Sequence, residues 1–155
     1  MKRLGKGLCI LMADDSQEDA LFVERGLRAT GLEVCFRHAQ DGQEAISYLQ
    51  GKGRFANRKE FPFPNVLLCD LKMPGIDGFH LLEWLQAHQE CKVIPTIVFS
   101  SSSHEGDIHR SYVLGANAYA VKPHDLQELT ELIKSLHSFW NRCEVPMPPP
   151  NDRCA

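Results

Sequence analysis

Five residues could do chemistry together: Asp14, Asp15, Asp70, Ser100 and Lys122. Each stands where an apolar run stops: LCILMA leads into Asp14 and Asp15, VLLC into Asp70, PTIVF into Ser100, and AYAV into Lys122. A charge at the end of a buried run is costly unless it has partners. Three carboxylates that meet repel one another and titrate as a coupled set. A hard divalent cation relieves that conflict, because Mg²⁺ takes oxygen ligands, keeps several waters and uses one or two carboxylates plus a phosphate oxygen. A lysine beside it serves as a point charge on a phosphoryl oxygen, and a serine as a neutral donor to another. The sequence contains no GxxxxGK[ST] and no GxGxxG, so no Gly-rich loop cradles a nucleotide. The phosphoryl group would then go onto the protein itself, and a carboxylate is a known covalent acceptor.

Each residue also has an ordinary use. Asp14-Asp15-Ser16 can cap a helix, and Asp70 before LKMPG can be turn chemistry. Ser100–Ser103 can be a plain loop, with Ser103 as the N-cap of the helix that follows, and Lys122-Pro123 can be a surface residue before a turn. What the ordinary uses do not explain is their joint arrival at the ends of four separate apolar runs.

The elements that must position them follow from the period of the apolar residues. Leu8–Ala13, Glu33–Ala39, Val66–Cys69, Pro95–Phe99 and Ala118–Val121 read as strands. Helical spacing fills the gaps. A first helix starts at the cap Ser16-x-x-Asp19 and ends at Gly31, and a second covers Gln43–Leu49 before Gly51. A third covers Phe79–His88, and a short fourth covers Asp107–Leu114. The last opens at the capping box Asp125/Glu128 and carries the stripe Leu126, Leu129, Leu132, Ile133, Leu136, Phe139, Trp140. Five strand–helix units in alternation predict an α/β fold with a doubly wound, five-stranded parallel sheet covered on both faces. Open sheets of that kind place their sites beyond the carboxyl ends of the strands, where the five residues fall.

Composition narrows the function. At 155 residues the chain fits one domain with a full core. A net charge of −3 argues against gripping nucleic-acid phosphates, and no apolar run reaches the ~20 residues of a membrane span. Six cysteines at 9, 35, 69, 91, 143 and 154 show no CxxC spacing and predict reduced thiols in a cytoplasmic protein. Gly51–Asn65 is a long connection with three Phe, and Val145–Ala155 is Pro-rich, with disorder or an extended path expected.

The motifs ILMADDS, VLLCDLKMPGIDG, PTIVFSS and GANAYAVKP closely resemble those of the response regulator receiver domain of two-component systems, over roughly Leu8 to Arg142. The resemblance implies a flavodoxin- or CheY-like sheet in the order 2-1-3-4-5, and Mg²⁺-dependent phosphorylation by a sensor histidine kinase or histidine phosphotransferase. Asp70 matches the phosphoacceptor, and Asp14 and Asp15 match the metal acids, joined by Asp70 and the backbone carbonyl of Lys72. Ser100 matches the hydroxyl that follows the phosphoryl group, Tyr119 the aromatic that turns inward after it, and Lys122 the lysine of the site. The Lys122–Pro123 bond is expected to be cis, and Gly78 matches the small residue closing the loop after the acceptor. Lys72 replaces the more usual Asn or Met. Whether its side chain hovers over the site or points to water stays open.

The expected organisation is a receiver domain over 1–142 and a Pro-rich tail over 143–155, with no output domain. Such a protein acts by docking, as a diffusible output or a relay, and catalyses only phosphoryl transfer to, and hydrolysis from, its own Asp70. The long Gly51–Asn65 segment and the ending SLHSFWNRCEVPMP resemble stand-alone receivers paired with bacterial phytochrome kinases. In those proteins the final helix and its extension contribute to homodimers. Phe139 and Trp140 could equally finish the core stripe. Two other functions compete: an aspartyl-nucleophile, metal-dependent phosphatase, which Asp70-Leu71-Lys72 fits poorly because the second acid of DxD is missing, and a non-phosphorylated adaptor on the same fold.

Overall fold

The computed structural model describes residues 8–154. Five parallel strands, β1 (Leu8–Ala13), β2 (Val34–Ala39), β3 (Val66–Cys69), β4 (Thr96–Ser100) and β5 (Ala118–Val121), form one sheet in the order β2-β1-β3-β4-β5. The connecting helices are α1 (Gln17–Ala29), α2 (Gly42–Gln50), α3 (Gly78–Ala87), α4 (Glu105–Val113) and α5 (Leu126–Trp140). The parallel sheet is the one expected from the alternation of apolar runs, and its strand order is the one the family resemblance implies. No helix among the described residues is long and apolar enough to cross a membrane.

Alternation along β1 sends its side chains to two cores. Leu11 and Ala13 pack with Ala45, Leu49, Leu81 and Leu85 on the α2–α3 side, while Leu8, Ile10 and Met12 pack with Val23, Leu27, Leu129 and Ile133 of α1 and α5. Both expected caps form: Ser16 Oγ accepts from the Asp19 N–H at 3.2 Å, and Asp125 Oδ1 from the Glu128 N–H at 2.8 Å. The cap of α4 is His104, not Ser103; its Nδ1 accepts from the Gly106 N–H at 3.2 Å. In the stripe of α5, Trp140 packs against the α1–α5 core, whereas Phe139 is 62% exposed, so only one of the two aromatics finishes the core.

Three expectations are corrected. The Pro-rich tail folds back instead of trailing away. Arg58 donates to the carbonyls of Asp152 (2.9 Å), Leu49 (3.0 Å) and Phe61 (3.2 Å), and the Cys154 N–H donates to Leu49 O at 3.0 Å. The guanidinium fork satisfies carbonyls of three segments at once, which composition does not reveal. The cysteines are not all free: Cys91 and Cys154, 63 residues apart with Cα atoms 5.9 Å apart, form a disulfide. Folding, not spacing, brings them together. Finally, there is no cis peptide bond among the described residues, so Lys122–Pro123 is trans. The X-Pro amide separates its isomers by only ~0.5–1 kcal/mol, too little for a Lys-Pro pair to dictate the choice.

Closing a loop of this length restrains the unfolded chain. Cys154→Ser is expected to lower stability by about 3 kcal/mol, read as a lower urea midpoint than that of the oxidised protein. An unchanged midpoint would mean that the Arg58 bonds alone hold the tail.

Candidate functional site

The sheet ladder continues one residue past several strands, and those are the residues of interest. The Asp14 N–H donates to Ala39 O at 3.0 Å, the Asp70 N–H to Ala13 O at 2.9 Å, and the Lys122 N–H to Ser100 O at 2.8 Å. Each functional side chain is therefore carried by backbone that the sheet holds rigid. Oxygen atoms of Asp14, Asp15 and Asp70 all lie within 4.8 Å of one another. Asp14 is completely buried, Asp70 nearly so, and Asp15 is exposed.

Lys122 organises the acids. Its Nζ donates to Asp14 Oδ2 at 2.7 Å, Asp19 Oδ2 at 2.6 Å and Asp70 Oδ2 at 3.1 Å. An ammonium has three donors, so all three are in use. The other oxygen of each buried acid is tied to backbone: Asp14 Oδ1 accepts from the Ser16 N–H and Asp70 Oδ1 from the Leu71 N–H, both at 2.8 Å. The Asp70 carboxylate is thus fixed in rotation, with Oδ2 turned toward the cluster. Burial pushes the Asp14 carboxyl above its ordinary value, against the opposing pull of Lys122 and the Ser16 N–H. Burial would lower Lys122, but its bonds to Asp14 and Asp19 outweigh that and raise it, so the ammonium stays charged.

Asp19 was legible only as part of a helix cap. It also reaches Lys122 at 2.6 Å, a contact 103 residues away in the chain that no local spacing signals. Ser100 is buried, with its Oγ accepting from the Ser102 N–H at 3.2 Å. Tyr119 is half-buried and its hydroxyl donates to Ser102 O at 2.7 Å, so the two candidate switch residues meet on one segment. Lys72 is exposed and lines an open cleft with Asp15, Asp77, Phe79 and Asp107; its side chain stands at the rim. Gly78 lies against the acceptor backbone, since a Cβ there would sit 2.1 Å from Asp70 O.

Three carboxylates (Asp14, Asp19, Asp70) share one ammonium, and Asp15 adds a fourth negative charge beside them. The donor set is all oxygen, one member is open to solvent, and negative charge is in excess, which fits a hard divalent cation held by Asp14, Asp15 and Asp70.

A family model described as the response regulator receiver domain matches residues 10–134. Response regulator Rcp1 of Synechocystis is 32% identical over 131 residues, covering 84% of this chain and 87% of that protein. The Mn²⁺-bound form of Rcp1 superposes with a TM-score of 0.76, at 30% identity, over 90% of this chain and 99% of that one. A response regulator in red light signalling of R. palustris gives a TM-score of 0.84 at 31% identity, covering 90% and 99% of the two chains. The phosphorylated cyanobacterial phytochrome response regulator RcpA gives 0.80 at 30% identity, covering 91% and 99%.

Proposed function

Because the chain belongs to the response regulator receiver domain family of two-component signalling proteins, we propose that Asp70 is its phosphoacceptor, served by Asp14, Asp15, Lys122 and Ser100. The observation that carries this is the Lys122 ammonium bridging Asp14, Asp19 and Asp70 beyond the carboxyl ends of the strands. Asp70 Oδ2 attacks phosphorus in line, forming the acyl phosphate while the bond to the donor's leaving group breaks. The Leu71 N–H holds the other oxygen and sets the angle of attack. Asp14, Asp15, Asp70 and the Lys72 carbonyl would hold Mg²⁺, which would supply charge neutralisation for the phosphoryl oxygens.

Lys122 must give up a partner to reach the new oxygens, because its donors are all occupied. Asp19, the most exposed of the three, is the one released. Ser100 turns its hydroxyl to a second oxygen, which withdraws the acceptor of the Ser102 N–H and disturbs the carbonyl that holds Tyr119. The surface around α4 and β5 then shifts population between two states. The donor is a sensor histidine kinase or phosphotransferase, of the phytochrome-associated type that the relatives suggest. Hydrolysis of the acyl phosphate is the only turnover, and the C-terminal helix region, with Phe139 outward, is the dimer surface. Residues 143–155 act as an appendage of the 1–142 receiver unit.

The test is incubation with acetyl phosphate and Mg²⁺ followed by intact-mass measurement. A labile adduct of one phosphoryl group is expected, abolished by chelation; no adduct in Mg²⁺ rejects the reading. Metal ligands must be deprotonated. Since Asp14 is raised, protons compete for it at a higher pH than at an ordinary carboxyl. Mg²⁺ affinity in a titration should therefore fall as pH is lowered, starting above the normal carboxylate range.

A further inference from the structure

Four cysteines among the described residues are free: Cys9, Cys35, Cys69 and Cys143. Two of them face each other. Cys9 on β1 is the register partner of Cys35 on β2, and their sulfurs are 3.2 Å apart. Neighbouring strands run ~4.8 Å apart, inside the ~4.4–6.8 Å that Cα atoms span across a disulfide. The pair is within the backbone reach of a disulfide. We propose that Cys9 and Cys35 are a modification site: a dithiol that a hydroperoxide converts to an inter-strand disulfide, independently of the acid cluster.

The two thiols differ in a way that orders the steps. Cys35 lies on the edge strand and is half-buried, so an oxidant reaches it; Cys9 is 3% exposed. Burial raises the Cys9 thiol well above its ordinary value, and the fields of Arg37 and Arg58 offset only part of that. Cys9 is therefore the protonated, waiting partner. The asparagine that ends the long connection keeps it in place: Asn65 Oδ1 accepts from the Cys9 N–H at 2.7 Å, and the Asn65 N–H donates to Cys9 O at 2.8 Å. By contrast, Cys69 is fully buried, with its sulfur against backbone carbonyls.

In the first step the Cys35 thiolate attacks a peroxide oxygen, the O–O bond breaks, and the leaving oxygen departs as water. In the second, Cys9 sulfur attacks the Cys35 sulfenic acid, the S–O bond breaks, and hydroxide leaves as water with the Cys9 proton. Two thiols lose two electrons and one hydrogen peroxide is reduced to two waters. The product ties the edge strand to β1, the strand that delivers Asp14 and Asp15.

The experiment treats the native protein with hydrogen peroxide, quenches with catalase, denatures, alkylates and digests with trypsin. The expected product joins the peptide Gly7–Arg25, which holds Cys9, to Ala29–Arg37, which holds Cys35, and a thiol reductant separates them. Cys69 stays alkylatable. In Cys35→Ser the linked peptide disappears and Cys9 is recovered alkylated. In Cys9→Ser, Cys35 runs on to sulfinic and sulfonic acid for want of a partner. Recovery of both cysteines fully alkylated from the wild type, under conditions that oxidise a free-thiol peptide, overturns the proposal. So does over-oxidised Cys35 without the linked peptide.

Discussion

Asp70→Asn should take no phosphoryl group from acetyl phosphate in Mg²⁺, while the wild type gains one. The substitution keeps the shape, and the amide oxygen can still accept from the Leu71 N–H that now holds Asp70 Oδ1 at 2.8 Å. It also removes one of the crowded negative charges around Lys122, so the variant should fold. The other acids are poor substitutes as nucleophiles. Asp14 has no exposed surface, and its two oxygens are occupied by the Ser16 N–H and Lys122. Asp15 is exposed but lies outside the grip of the lysine that would neutralise the reacting oxygens. Asp70 keeps the longest of the three bonds to Lys122, 3.1 Å. A phosphoryl adduct on Asp70→Asn would move the acceptor to Asp15.

Gly78→Ala is the second large effect, and it acts through backbone. A Cβ at this position would lie 2.1 Å from the Asp70 carbonyl oxygen and 2.7 Å from Leu71 Cα. Neither atom can swing aside as a side chain would. The Gly78 N–H also donates to Leu71 O at 3.0 Å, so the α3 N-terminus is anchored to the residue after the acceptor. A loss of roughly 3 kcal/mol is expected, at the upper end of overpacking costs, together with impaired phosphoryl uptake because Asp70 is displaced. Gly31→Ala is the comparison: its φ of +69° disfavours a side chain but its surroundings are open, so about 1 kcal/mol is expected. Equal losses in urea unfolding would show that close approach is not what fixes Gly78.

The sheet was legible because its strands are uninterrupted apolar runs and its helices carry caps that form as written. The acids, serine and lysine were legible because each ends such a run. What escaped the sequence depends on chain segments meeting in space. Asp19 reads as a capping residue until α1 is placed beside Lys122. Cys91 and Cys154 meet only because the tail folds back, and the Pro-rich composition hides the Arg58 bonds that hold it. Cys9 and Cys35 face each other through strand register, which a one-residue slip would reverse. The cap of α4 shows the limit within a helix start: Ser103 has the favoured chemistry, yet His104 occupies the position.

The Arg58 fork has a consequence for how the molecule breathes. Chain ends are ordinarily the first regions to fray. Here one guanidinium holds carbonyls of the tail, the end of α2 and the long connection together, and a disulfide fastens the tail to the segment after α3. The Cys154 amide, which donates to Leu49 O at the end of α2, is therefore expected to exchange with solvent together with α2 rather than with a fraying chain end.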